Sequence, residues 1–165
     1  MKEFESEKIR NLAVVGHGDV GKTTLVSALL YTSGAVNRMG RVEDGTTITD
    51  YDEDEIDRKI TINTVLAHCE WKGHKINLLD TPGYRAFILD AKSAMTAAET
   101  ALVLIDSTAG VEVQTELVWQ FATEYDLPKV LVVNKLDRDN SNFQQTVEGL
   151  QESFGREVEI GRAHV

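Results

Sequence analysis

The segment Gly16-His17-Gly18-Asp19-Val20-Gly21-Lys22-Thr23-Thr24 carries the spacing G-x-x-x-x-G-K-[ST]. A phosphate group needs several backbone N–H donors converging on it, and glycines let a chain wrap an anion without a Cβ in the way. Lys22 adds a mobile cation for β- and γ-phosphates, and the hydroxyl of Thr23 can ligate Mg²⁺. Residues 16–24 are therefore expected to line a phosphate site, with Lys22 also neutralising charge during phosphoryl transfer. A helix starting at the end of this loop adds its positive dipole end to the same anion.

Three further groups of residues extend that chemistry. Asp80-Thr81-Pro82-Gly83 follows an apolar run. A carboxylate at that strand end is placed for a water-mediated contact with Mg²⁺, and Gly83 frees an N–H for a γ-phosphate. Asn134-Lys135-Leu136-Asp137 follows another apolar run. The Asp137 carboxylate can accept from both the N1–H and the exocyclic amine of guanine, a pattern adenine lacks, so a buried unpaired carboxylate would penalise ATP. Asn134 and the stem of Lys135 are expected to brace that loop and cover the base. Thr61 ends a long polar segment, from which it can reach Mg²⁺ only while a γ-phosphate is present; that would make the segment a switch. The same threonine is equally consistent with plain strand propensity.

The elements that must position these groups alternate along the chain. Short apolar runs at 12–15, 101–105 and 130–133 read as buried parallel strands. Residues 60–71 and 75–79 read as a hairpin around Lys72-Gly73-His74. Helices are expected over 22–31, 86–98, 112–125 and 142–154, the last placing Phe143, Val147, Leu150 and Phe154 on one stripe. Residues 33–58 read as one functional loop, with the acidic run Asp52–Asp57 as a solvated part of it. Alternating strands and helices predict a doubly wound, mostly parallel α/β sheet.

Bulk properties narrow the function classes. The net charge of −10 argues against a basic face gripping DNA or RNA. No apolar run is long enough to span a membrane, and the charged start is unlike a signal peptide. The single cysteine, Cys69, reads as a buried bystander in a reducing compartment, which points to the cytoplasm. The tail from Glu159 to Val165 matches the translation of a common sequencing-adapter read. The expected organisation is thus one domain over 1–157 and a non-native tail over 158–165.

Taken together, the phosphate loop, Asp80-Thr-Pro-Gly83 and Asn134-Lys-Leu-Asp-Arg138 resemble translational GTPases. So does Gly40-Arg-Val-Glu-Asp-Gly45 leading through Asp50-Tyr-Asp to Ile60-Thr-Ile62. The stretch Ala109–Trp119 and Arg138 are similar to the elongation factor G group. That resemblance implies a P-loop GTPase fold, GTP and GDP with Mg²⁺ as ligands, a monovalent cation beside Asp19, and action on the ribosome as a monomer. It further implies that the domain stops before a last strand and a final guanine-binding loop. Two residues depart from the family pattern. Tyr84 stands where a histidine usually handles the attacking water, so it is expected to position water rather than act as a base. Lys59 stands in place of a usual glycine, and both changes resemble paralogues of the group. Alternative readings are a slow GTP-dependent regulatory module, favoured by Tyr84, and a ribosomal-protection factor, disfavoured by Asn134–Arg138 and residues 40–51.

Overall fold

A computed structural model of the chain describes residues 3–156 and 158–161. Five strands form one sheet: β1 (Ile9–Gly16), β2 (Val65–Trp71), β3 (His74–Asp80), β4 (Thr100–Asp106) and β5 (Lys129–Asn134). Their order is β2-β3-β1-β4-β5, with β2 antiparallel to β3 and every other pair parallel. The helices are α1 (Lys22–Thr32), α2 (Glu53–Arg58), α3 (Ile88–Thr96), α4 (Val113–Glu124) and α5 (Phe143–Phe154). This is the expected doubly wound α/β sheet.

Both faces of the sheet are covered because the inner stretches of its central strands, 12–15 and 101–105, are apolar at every position, not at alternate ones. Ala13, Val15, Val103 and Ile105 point to one face and pack with Met95, Val118, Ala122 and Leu150 from α3, α4 and α5. Val14, Leu78 and Leu104 point to the other and meet Val26 and Leu30 of α1. Cys69 is buried on that second side. Val147 and Leu150 of the α5 stripe are buried, whereas Phe143 is exposed and Phe154 stacks on Trp119 with centroids 4.1 Å apart. The parallel strands β1, β3, β4 and β5 end together, so Gly16, Asp80, Asp106 and Asn134 share one rim. The crevice beyond strand C-termini is where such sheets bind ligands.

Several boundaries differ from expectation. The acidic run is not a loop: Asp52 caps α2 through its side chain, and Glu53, Asp54 and Glu55 occupy the first turn. Acids there complement the helix dipole, which offsets their mutual repulsion. The strand expected from residue 60 begins only at Val65, because Ile62 and Asn63 donate their N–H groups to the Glu55 carboxylate instead of to a ladder. The helix expected from residue 86 begins at Ile88, after a short 3₁₀ turn over Arg85–Phe87. Of the tail expected to be foreign, Val158 packs against the core and its carbonyl accepts from Gln151 at 2.9 Å. Residues 157 and 162–165 lie outside the described residues. Among the described residues no helix is long and apolar enough to cross a membrane.

Candidate nucleotide-binding site

The loop between β1 and α1 sits on the rim, under a cavity of about 390 Å³. Gly18, Asp19, Gly21, Lys22, Thr23 and Thr24 line it from below, and Thr61, Gly83 and Tyr84 from other loops. Lys22 is buried, and its Nζ donates to the carbonyls of His17 at 2.7 Å and Gly16 at 3.3 Å. Burial lowers its pKa to about 8, against the pull of Asp80 and Asp19. A poorly solvated cation that faces an open cavity is placed to gain from an anion. Gly83 presses on this assembly from the β3 side. A Cβ at Gly83 would collide with Lys22 Nζ and come within 2.5 Å of the His17 carbonyl oxygen. Gly21, at φ +96, leaves room for Asn134, whose Nδ2 donates to the Val20 carbonyl at 2.8 Å.

Beneath the loop lies a buried cluster of oxygens. Thr23 and Thr61 share a hydrogen bond of 2.9 Å between their hydroxyls, and Thr61 donates onward to Asp50 Oδ1 at 2.9 Å. Thr49 donates to Asp80 Oδ2 at 2.7 Å. The opposite oxygens, Asp80 Oδ1 and Asp50 Oδ2, are buried without a hydrogen-bond partner. Burial pushes the Asp80 carboxyl up to about 6, although Thr49, Thr23 and Lys22 counter it. Burial likewise raises Asp50, with Glu55 adding to the rise while Thr61 and Thr47 oppose it. Two orphaned carboxylate oxygens beside two threonine hydroxyls form a hard-oxygen donor set, which suits a divalent cation such as Mg²⁺. Thr81 and Pro82 are buried behind the cluster, and Thr81 Oγ1 anchors the turn on the Val14 carbonyl at 2.7 Å.

The third loop attaches to the first through side chains. Lys135, in a left-handed conformation, donates Nζ to the Asp19 carbonyl and to Asp106 Oδ2, the latter at 2.8 Å. Ser107 Oγ donates to the Lys135 carbonyl at 2.9 Å. Burial works against the Asp106 carboxylate, yet donation from Lys135 and Thr108 holds it well below the usual carboxylate range. Asp137 is exposed and lies beyond the phosphate cavity, in a neighbouring depression with Thr108, Arg138, Asp139 and Asn140. Arg138 borders both hollows.

Tyr84 spans the roof. Its hydroxyl donates to Asp19 Oδ2 at 2.7 Å, and its ring leaves only 3.0 Å for a Cβ at Gly18. The bond to Asp19 and partial burial push the phenol up to about 12. The expected residues are therefore gathered at one rim, with Asp137 set apart from the phosphate cavity. Thr49, Asp50, Glu55 and Asp106 belong to the same assembly, and the sequence alone does not single them out as site residues. Asp52 before an acidic turn is the one local signal that could have located α2, and with it Glu55.

The chain is similar to known proteins over nearly its whole length. Residues 7–164 match the family described as elongation factor Tu GTP binding domain. Elongation factor G of Granulibacter bethesdensis is 41% identical over 90% of this chain and 21% of its own length. The mitochondrial ribosome-releasing factor 2 of Candida dubliniensis is 39% identical over 90% of the chain and 18% of its own. A crystal structure from Thermus thermophilus superposes with a TM-score of 0.87 at 43% identity, covering 90% of this chain and 22% of that one. The chain thus spans about a fifth of the length of these curated relatives. A glycine-rich loop on the rim, a buried carboxylate cluster beneath it and a third loop bonded to Asp19 and Val20 of the first now stand beside a family match over nearly the whole sequence: the chain belongs to the elongation factor Tu GTP-binding-domain family of translational GTPases.

Proposed function

We propose that this domain binds GTP and GDP with Mg²⁺, hydrolyses GTP to GDP and phosphate, and serves a cytoplasmic translation factor acting on the ribosome in the manner of elongation factor G. The observation that carries the nucleotide reading is the pair of buried, unpartnered oxygens on Asp80 and Asp50 beside Thr23 and Thr61. Relatives named for elongation and for ribosome release support the ribosome as partner. Neither membrane nor DNA enters this reading, and the domain acts as a monomer.

Each residue has a role that follows from its surroundings. Backbone N–H groups of residues 16–24 and Lys22 hold the phosphates, and an arriving anion raises the Lys22 pKa that burial lowers. Thr23 and Thr61 would ligate Mg²⁺ directly and Asp80 through water, with Asp50 closing the set. When bound, that ion offsets charge on the phosphates. Asn134 and Lys135 brace the base loop, and Asp137 reads the guanine edge. Asp19 holds a monovalent cation beside the phosphates, consistent with its place on the cavity rim. Tyr84 positions the attacking water as a hydrogen-bonding group. A phenol at about 12 takes no proton at neutral pH.

That last property also favours a second reading, a GTP-dependent regulatory module that hydrolyses slowly. Single-turnover hydrolysis with and without ribosomes separates the two. The leading reading expects ribosomes to stimulate the rate, and Tyr84→His to raise it roughly tenfold or more by supplying a base near neutral pH. Guanine-selective binding with a rate indifferent both to ribosomes and to Tyr84→His would leave only the slow module.

A further inference from the structure

Four cationic side chains line the cavity above the phosphate loop: Lys22, Lys59, Lys135 and Arg138. Three are already engaged. Lys22 donates to Gly16 and His17, Lys135 to Asp106 and Asp19, and Arg138 lies 3.6 Å from the same Asp106 carboxylate. Among the described residues Lys59 has no ion pair and no side-chain hydrogen bond. Acids stand nearby in sequence at Glu55, whose carboxylate accepts from Ile62 and Asn63, and at Asp57, and Glu43 lines the same cavity. Its ammonium group is uncommitted in spite of them.

The backbone at Lys59 is the second observation. Lys59 ends α2 at φ +56 and ψ +37, a left-handed conformation that glycine adopts freely and a lysine adopts at a steric cost. That conformation ends α2, with the Lys59 N–H donating to the Glu55 carbonyl, and sets the residue on the lining of the cavity. The third observation is adjacency. Thr61, two residues on, hydrogen-bonds Thr23 and Asp50 in the oxygen cluster, so a pull on Lys59 acts on the segment that carries Thr61.

We propose that Lys59 is a specificity-determining residue that distinguishes a nucleoside triphosphate from a diphosphate by engaging the terminal phosphate. The inference deepens the nucleotide reading of this cavity and rests on it. A lysine is a compact point charge suited to the dense charge of a terminal phosphate. A diphosphate offers no terminal phosphate to Lys59, so residues 59–61 gain nothing from it. Only a ligand that touches Lys59 can strengthen the hold on the segment that carries Thr61. Lys59 thereby couples the identity of the nucleotide to the position of Thr61.

Calorimetric titration with GDP and with a non-hydrolysable GTP analogue, in Mg²⁺, tests this on the unsubstituted chain, Lys59→Gly and Lys59→Arg. Lys59→Gly should lose roughly three- to tenfold in affinity for the triphosphate analogue, the range of one partly exposed charged contact. Its GDP affinity should stay the same, and its melting temperature should hold or rise as the left-handed strain is relieved. Lys59→Arg keeps the charge and should keep the triphosphate preference. An unchanged triphosphate-to-diphosphate ratio in Lys59→Gly would overturn the proposal, making Lys59 a loop residue or a partner of Glu43. Equal loss of both ligands would overturn it too, as a structural role. Failure of the unsubstituted chain to bind either nucleotide would instead remove the reading beneath it.

Discussion

The two ends of the site are built on different principles. At the phosphate end, Lys22, Thr23, Thr49, Asp50, Thr61 and Asp80 are all buried, held by the start of α1, the end of β3 and the segment between α1 and β2. At the base end, Leu136, Asp137, Arg138, Asp139 and Asn140 are all exposed on one loop. Of the two ends only the phosphate end has unsatisfied buried atoms, on Asp50, Asp80 and His17, the others among the described residues lying on Gln114 and Thr115 of α4. Burial without partners costs stability, so such atoms mark where a ligand is expected to supply the missing bonds. The exposed end carries no such cost and is free to select. On the proposed reading, the buried end would serve the chemistry common to all nucleoside phosphates, and the exposed loop would recognise the base.

Substitutions sharpen that contrast. The largest effect is expected at Asp137. Asp137→Ala should lower affinity for GDP and GTP roughly 10- to 100-fold, leave the weak binding of ATP unchanged, and leave the melting temperature where it was. A drop in melting temperature would mean that the base loop is structural rather than free. Glu55→Ala should act oppositely. It strips two part-buried N–H groups, on Ile62 and Asn63, of their acceptor, at a cost of about 2 kcal/mol that calorimetric melting will read as a fall of several degrees. Its effect on GDP affinity should be smaller than its effect on stability, since Glu55 touches no phosphate-loop residue among its described hydrogen bonds.

The smallest effect is expected at Asp106, which ties the two ends together. Its carboxyl is held below its unfolded value, so its contribution to stability is present above about pH 4. That contribution fades as the pH falls from there toward the lower folded value. Asp106→Asn should flatten this acid limb and lower stability at pH 7, where the contribution is fully present, by less than Glu55→Ala does. Urea unfolding at pH 7 and at successively lower pH will show whether the two curves converge in acid.

Much of this arrangement is legible in the sequence because strand ends announce themselves. Apolar runs before Gly16, Asp80 and Asn134 end at those residues, and the parallel sheet brings the ends together. What stays hidden is tertiary. Thr49 meets Asp80 across 31 residues, and Tyr84 meets Asp19 across 65, pairings that no local pattern specifies. Asp50 and Glu55 look like their exposed neighbours in an acidic run, and only the folded loop separates the buried pair from the solvated ones. The run itself hides a helix because six residues are too few to show an apolar period.

Whether a guanine-selective, metal-assisted phosphate site lies on this rim is tested most directly by titration calorimetry with GDP, GTP and ATP, each with Mg²⁺ and with a chelator. Both guanine nucleotides should bind, GTP more weakly when Mg²⁺ is removed, and ATP should bind little or not at all. ATP binding as tight as GTP, or GTP binding indifferent to Mg²⁺, would contradict the assignment.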